Sequence, residues 1–177
     1  MGRKRSTEFS RLFAKGQELE TSISASSIFS KDNGLHLMSY KVVSNKKTTV
    51  IDNIAVYGST ILVLESKNYT RLSGSLNANF WKGKGLSRQF SLPNPIMQNK
   101  YHIKLLSEYL VNNGISVHGF AVEHYVIVPD TCVVSVDDDT KSYVMSKSQL
   151  DMYKAKLSFY NKDLNEDIVR VIKEGLL

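Results

Sequence analysis

The chain has 177 residues, 42% of them hydrophobic and 23% charged, which fits one folded domain with a sizeable core and excludes a disordered chain. Its one cysteine, Cys132, rules out an internal disulfide and any multi-cysteine zinc site, and no apolar run approaches the roughly 20 residues of a membrane-spanning helix. With 23 Lys and Arg against 17 Asp and Glu, the formal charge of +6 suits a polyanionic partner.

The start, Met1-Gly2-Arg3-Lys4-Arg5, is basic with no apolar signal core behind it, so a cytoplasmic location is expected. An amphipathic helix is predicted over residues 6 to about 23, because Phe9, Phe13, Gly16, Glu20 and Ile23 recur on one face. Glu20 then lies on the apolar side, and Glu18 is rotated away from it. Asp32-Asn33-Gly34 signals a turn, and three strands follow over residues 35–43, 49–57 and 60–67. Short turns at residues 44–47 and at Gly58-Ser59 make these strands antiparallel neighbours.

The third of these strands, Ile61-Leu62-Val63-Leu64-Glu65-Ser66-Lys67, runs apolar and then ends in a carboxylate and an ammonium. Alternation puts Glu65 and Lys67 on the face of Ile61 and Val63, where charge is costly unless paired or metal-bound. Asp52 sits inside the preceding apolar strand. An Asp followed by Glu-x-Lys on the next strand is what a metal-dependent nuclease needs; the alternative is a buried salt bridge between Lys67 and one of the acids.

Further short strands are predicted over residues 72–90, with Phe80-Trp81 as a packing anchor and base stacking as the less common use of Trp81. Lys82, Lys84 and Arg88 lie in a glycine-containing stretch that suits either phosphates or a solvated hairpin. Asn94 caps a second helix with Pro95 in its first turn, and Gly114 closes it. Gln98, His102, Leu105 and Tyr109 form one stripe along it, so two polar groups face the core. Strands are expected over 116–128 and 131–136, with Cys132 as a small buried hydrophobe and Asp137-Asp138-Asp139 as a solvated turn. Helices over 146–153, capped by Ser146, and over about 162–177 complete a single α/β domain with a mixed, largely antiparallel sheet flanked by helices.

Four motifs in this order resemble the nuclease-related domain family, a branch of the PD-(D/E)xK nuclease superfamily, over about residues 13–153. They are Gly16-Gln17-Glu18-Leu19-Glu20 with Ile23; Ile51-Asp52; Glu65-Ser66-Lys67-Asn68 with Tyr69; and Asn94-Pro95-Ile96-Met97-Gln98 with His102. Leu19 replaces a usually small residue, and Asn53 and Ser66 replace the usual histidine and threonine. The resemblance implies a restriction-endonuclease-like core and magnesium-dependent phosphodiester hydrolysis, with manganese as a substitute and DNA favoured over RNA. It implies Asp52 and Glu65 as metal ligands with the Ser66 backbone carbonyl, and catalytic roles for Glu20, Asp52, Glu65, Lys67 and Gln98. Either Glu18 or Glu20 can match the family's helix glutamate; the helix face favours Glu20, and so does Ile23 three residues later. His102, one turn beyond Gln98, is either a structural histidine or a proton carrier. The competing reading of the whole chain is a catalytically silent nucleic-acid-binding or regulatory module of a larger assembly.

Overall fold

The computed structural model describes residues 17–23, 35–160 and 163–175. The predicted helix over residues 6–16 and the turn at Asp32-Asn33-Gly34 lie outside them.

Two tight hairpins build the main sheet. Strands β1 (Leu35–Ser44) and β2 (Lys47–Tyr57) are joined by Asn45 and Lys46, whose φ angles of 50° and 64° are those of a type I′ turn, the twist that antiparallel strands accept. Gly58, at φ 56°, opens the two-residue turn from β2 to β3 (Thr60–Ser66). Two later strands, β7 (Ala121–Val128) and β9 (Val144–Ser146), extend the sheet in the order β1-β2-β3-β7-β9, both paired in parallel. The parallel β3–β7 pair requires a long crossover. That crossover contains helix α2 (Pro95–Asn112) and most of a second sheet.

Helices cover both faces of the main sheet. Ile54, Val56, Ile61 and Val63 pack against Leu105, Leu106 and Leu110 of α2 and against Ile168, Val171 and Ile172 of α5 (Glu166–Glu174). Ala55, Leu62 and Leu64 face the other way, onto Leu19 and Ile23 of α1 (residues 17–23) and Leu150 of α4 (Lys147–Tyr160). The α/β class with a mixed sheet is therefore as expected.

The second sheet joins β4 (Arg71–Gly74), β5 (Phe80–Lys84), β6 (Gln89–Pro93) and β8 (Val133–Val136) in the order β6-β5-β4-β8. Trp81 is its anchor, fully buried, with the indole N–H donating to the Ser75 carbonyl at 2.9 Å. Gly74 makes room for it, since a Cβ there would come within 2.3 Å of the ring. Phe80, predicted as part of the anchor, points the opposite way and is 64% exposed, because neighbours on a strand alternate.

Several boundaries differ from expectation. The strand over 116–128 begins only at Ala121, because Ser116 to Gly119 close a turn, with the Gly119 amide donating to the Ser116 carbonyl at 2.8 Å. Asp137-Asp138-Asp139 is no loop: Asp137 caps the short helix α3 (Asp138–Lys141) by accepting the Thr140 amide hydrogen at 2.8 Å. The helix predicted to end at residue 153 continues to Tyr160, and Ser146 and Gln149 cap its start reciprocally, at 3.3 and 2.8 Å. Cys132 is half-buried rather than buried. Asn94 does cap α2, accepting from the Ile96 amide at 2.9 Å, while its own amide group grips the Leu76 and Ala78 carbonyls. Gly114 follows at φ 89°.

Candidate active site

The β2–β3 ladder ends at the Asn53–Leu64 pair, so Asp52 and Glu65 fall one step past it. Alternation also slips there. Ile51 and Ile54 reach the same core, as do Leu37 and Tyr40 on β1, where Ser39 takes a left-handed φ of 48° and drops out of the pairing with Asp52. With no ladder partner, Asp52 turns its carboxylate onto the Ser66 amide hydrogen, at 2.8 Å. The strands thus part at their charged ends and stay linked by one side chain.

Glu65 is 4% exposed and has a partner on each oxygen. The Lys67 ammonium lies 2.5 Å from Oε1, and His102 Nε2 lies 3.3 Å from Oε2. Glu65 and Lys67 share the α2-facing side of β3, as the alternation predicts, and α2 brings His102 to meet them. The other ring nitrogen of His102 is 2.7 Å from Thr49 Oγ1. His102 therefore bridges β2 and Glu65. Thr49 is a site residue that the sequence reading missed; 53 positions separate it from His102, and no local pattern connects the two.

Gln98 lies one helical turn before His102, half-buried, and its buried Oε1 has no hydrogen-bond partner. Asn99 beside it is fully buried and ties α2 to β7 by donating to the Tyr125 carbonyl at 3.1 Å; the apolar stripe did not include it. Alternation puts the Ser66 side chain on the face opposite Glu65, toward α1, where its buried hydroxyl has no hydrogen-bond partner among the described residues.

Glu20 arrives from the other side of the sheet. It is half-buried on α1 between the buried Leu19 and Ile23, whereas Glu18 is exposed. Although α1 and α2 cover opposite faces, Glu20 feels the charges of both Glu65 and Lys67, and Asp52 feels Glu20. Glu20 and Asp52 thus lie within the field of the Glu65–Lys67 pair near the open end of the β2–β3 pair.

Their protonation follows from burial and crowding. Burial first, then the charge of Glu65, push the Asp52 carboxyl up to about 6, against the opposing Ser66 amide and Lys67. The same two causes raise Glu20, with Lys67 pulling the other way. Burial also works against ionised Glu65, but the hydrogen bond to His102 and the charge of Lys67 outweigh it and hold this carboxyl below its ordinary value. Lys67 is thus spent on Glu65. The plain ion-pair reading accounts for that pair, yet among the described residues it leaves Asp52 and Glu20 with no cation of their own.

A shortage of positive charge among hard oxygen donors fits a divalent cation such as magnesium. Glu65 retains lone pairs after bonding Lys67 and His102, so it can still ligate. Among the described residues no three His, Cys, Asp or Glu side chains surround a common point, so Asp52 and Glu65 would need backbone and water ligands to complete a shell.

Fold and site together define an α/β domain with an acidic, lysine-containing centre at the open end of a strand pair. The family model described as Nuclease-related domain matches residues 15–129, more than half of the chain, and the chain belongs to that family. The matched span contains Glu20, Asp52, Glu65, Lys67 and Gln98. No curated protein and no solved structure gives a significant match. Among the described residues no helix is long and apolar enough to cross a membrane.

Proposed function

We propose that this domain is a magnesium-dependent nuclease that hydrolyses phosphodiester bonds, with DNA preferred over RNA and manganese able to replace magnesium. The observation that carries the reading is the excess of carboxylates, in a family related to nucleases. Lys67 is paired with Glu65, and Asp52 and Glu20 lie within the field of that pair, with no other cation among the described residues shown to offset them. Asp52, Glu65 and the Ser66 backbone carbonyl would hold the ion. When bound, it supplies charge stabilisation at phosphate and a water of lowered pKa.

The chain's own groups do the rest. Lys67 donates a hydrogen bond to a phosphate oxygen or to the attacking water, from a strand end that Asp52 keeps fixed through Ser66. Glu20, whose carboxyl is raised by burial and by Glu65, is suited to accept a proton from that water. The unpartnered Gln98 oxygen accepts a hydrogen bond from water at the same place. His102, steadied by Thr49, holds the orientation of Glu65. The proposed setting is cytoplasmic.

The test is incubation of the purified protein with supercoiled plasmid, linear duplex, single-stranded DNA and RNA, each with magnesium, manganese or chelator. Cleavage of DNA that chelator abolishes is the expected result. Binding without cutting under either metal would instead make the domain a silent nucleic-acid-binding or regulatory module.

A further inference from the structure

The outer face of the second sheet carries cations that its fold does not need. Arg71 on β4 stands directly opposite Lys84 on β5, and Lys82 follows two residues away on the same face. All three are exposed, and none forms an ion pair with a described carboxylate. Opposed side chains on paired strands lie about 5 Å apart, and alternate residues along a strand about 7 Å apart. Like charges so placed destabilise a sheet. The remaining positions paired with Lys82 and Lys84 are Ser73, Ser91 and Gln89, all neutral and all able to donate hydrogen bonds. No acid is present on these paired positions to offset the repulsion. An anionic partner offsets it.

The same face is tethered to the site. Arg71 is four residues beyond Lys67, at most about 14 Å along the chain. The turn in which the Tyr69 amide donates to the Lys67 carbonyl at 3.1 Å shortens that span. The buried side of this sheet, with Leu72, Trp81 and Leu92, packs on the core, so the cationic side is directed to solvent by the alternation itself.

We infer that Arg71, Lys82 and Lys84 form a phosphate-binding face that holds the nucleic-acid backbone beside the site. This rests on the nucleic-acid reading of the site but not on its being able to cut. Closely spaced cations with hydroxyl and amide donors between them match what phosphate oxygens accept, and they position a chain without reading its sequence. The structure brings Arg71 into the group, which the spacing of Lys82 and Lys84 alone does not reveal.

The test compares two triple variants of the full chain, R71Q/K82Q/K84Q and, as control, K41Q/K47Q/K173Q. Each removes three exposed cations and lowers the formal charge from +6 to +3. Binding of a labelled DNA oligonucleotide is followed by fluorescence anisotropy, with chelator present so that nothing is cut, across a salt series. The sheet variant should bind at least about tenfold more weakly near 0.1 M salt, with the slope of log K against log salt reduced by about 2 to 3. The control should stay within about threefold. The single variants Lys82→Gln and Lys84→Gln should each lower the slope by about one, which keeps the test open if the triple variant folds poorly. Equal losses in the two triple variants overturn the proposal, as does a wild type that binds no DNA. Wild type that binds but cuts nothing under any metal defeats only the nuclease reading and leaves this one standing.

Discussion

The Asp52 carboxylate accepts the Ser66 amide hydrogen at 2.8 Å, just past the last pair of the β2–β3 ladder. One hydrogen bond thereby replaces the ladder and fixes a carboxylate that burial and Glu65 both disfavour. Asp52→Asn separates these effects, because an amide oxygen still accepts from Ser66 while the charge is gone. Calorimetry should show magnesium and manganese affinity lowered by more than about tenfold. The metal-free variant should melt no lower than wild type at neutral pH, since a disfavoured ion has been removed. Unchanged manganese binding would take Asp52 out of the ligand set.

The two glutamates of α1 give a sharper contrast. Glu20 lies between Leu19 and Ile23 and shares the field of Glu65 and Lys67, whereas Glu18 is exposed. Glu20→Gln should slow cleavage by about a hundredfold or more, in the range typical of lost general acid–base catalysis. Glu18→Gln should change the rate by less than about twofold. Equal losses would assign the helix carboxylate no special place.

A separate expectation concerns acid stability, away from the site. His36 Nε2 lies 2.6 Å from the Tyr57 hydroxyl, and burial, then the charge of Lys154, hold its imidazole down at about 4 against an ordinary 6.5. A depressed folded value means that the native state prefers the neutral ring. The stability is therefore present above pH 6.5 and is lost as pH falls through 4, at most about 3 kcal/mol for this one group. Denaturant melts at pH 7, 5.5 and 4 should show a steeper acid loss for wild type than for His36→Asn. Parallel curves would mean that His36 does not titrate as its surroundings dictate.

The parts of this molecule legible in its sequence are those written in local patterns. Two-residue turns and apolar runs specify β1 to β3, and alternation puts Glu65 and Lys67 on the face that α2 covers. The phase of α1 likewise separates Glu20 from Glu18. What stayed hidden depends on distant pairing. The second sheet is built from strands of four and five residues, and β4 finds its parallel partner β8 some 60 positions later, through pairs such as Leu72–Val134. Lys154 lies just past the predicted helix end, yet it is fully buried on α4 and donates to the Ile23 carbonyl at 2.7 Å, a contact 131 positions away that no local pattern shows. The slip of alternation at Ser39 and Asp52 is also invisible, because both strands keep their registered pairing on either side of it.

The strongest separation of binding from chemistry comes from Lys67. It is one of 23 Lys and Arg residues, so Lys67→Ala should leave DNA affinity in chelator within about twofold. Its loss from a site of three carboxylates should cost about a hundred- to a thousandfold in cleavage rate, the usual worth of a donor placed at developing charge. The variant also leaves buried Glu65 with His102 as its remaining partner, so a lower melting temperature is expected. Adding Glu65→Gln to Lys67→Ala should recover much of that stability, because the uncompensated charge is then gone, and it should recover none of the activity. A Lys67→Ala protein that cuts within tenfold of wild type would reduce Lys67 to the counter-ion of Glu65. A stable double variant that stays inactive would show that the pair is kept for its chemistry and not for the fold.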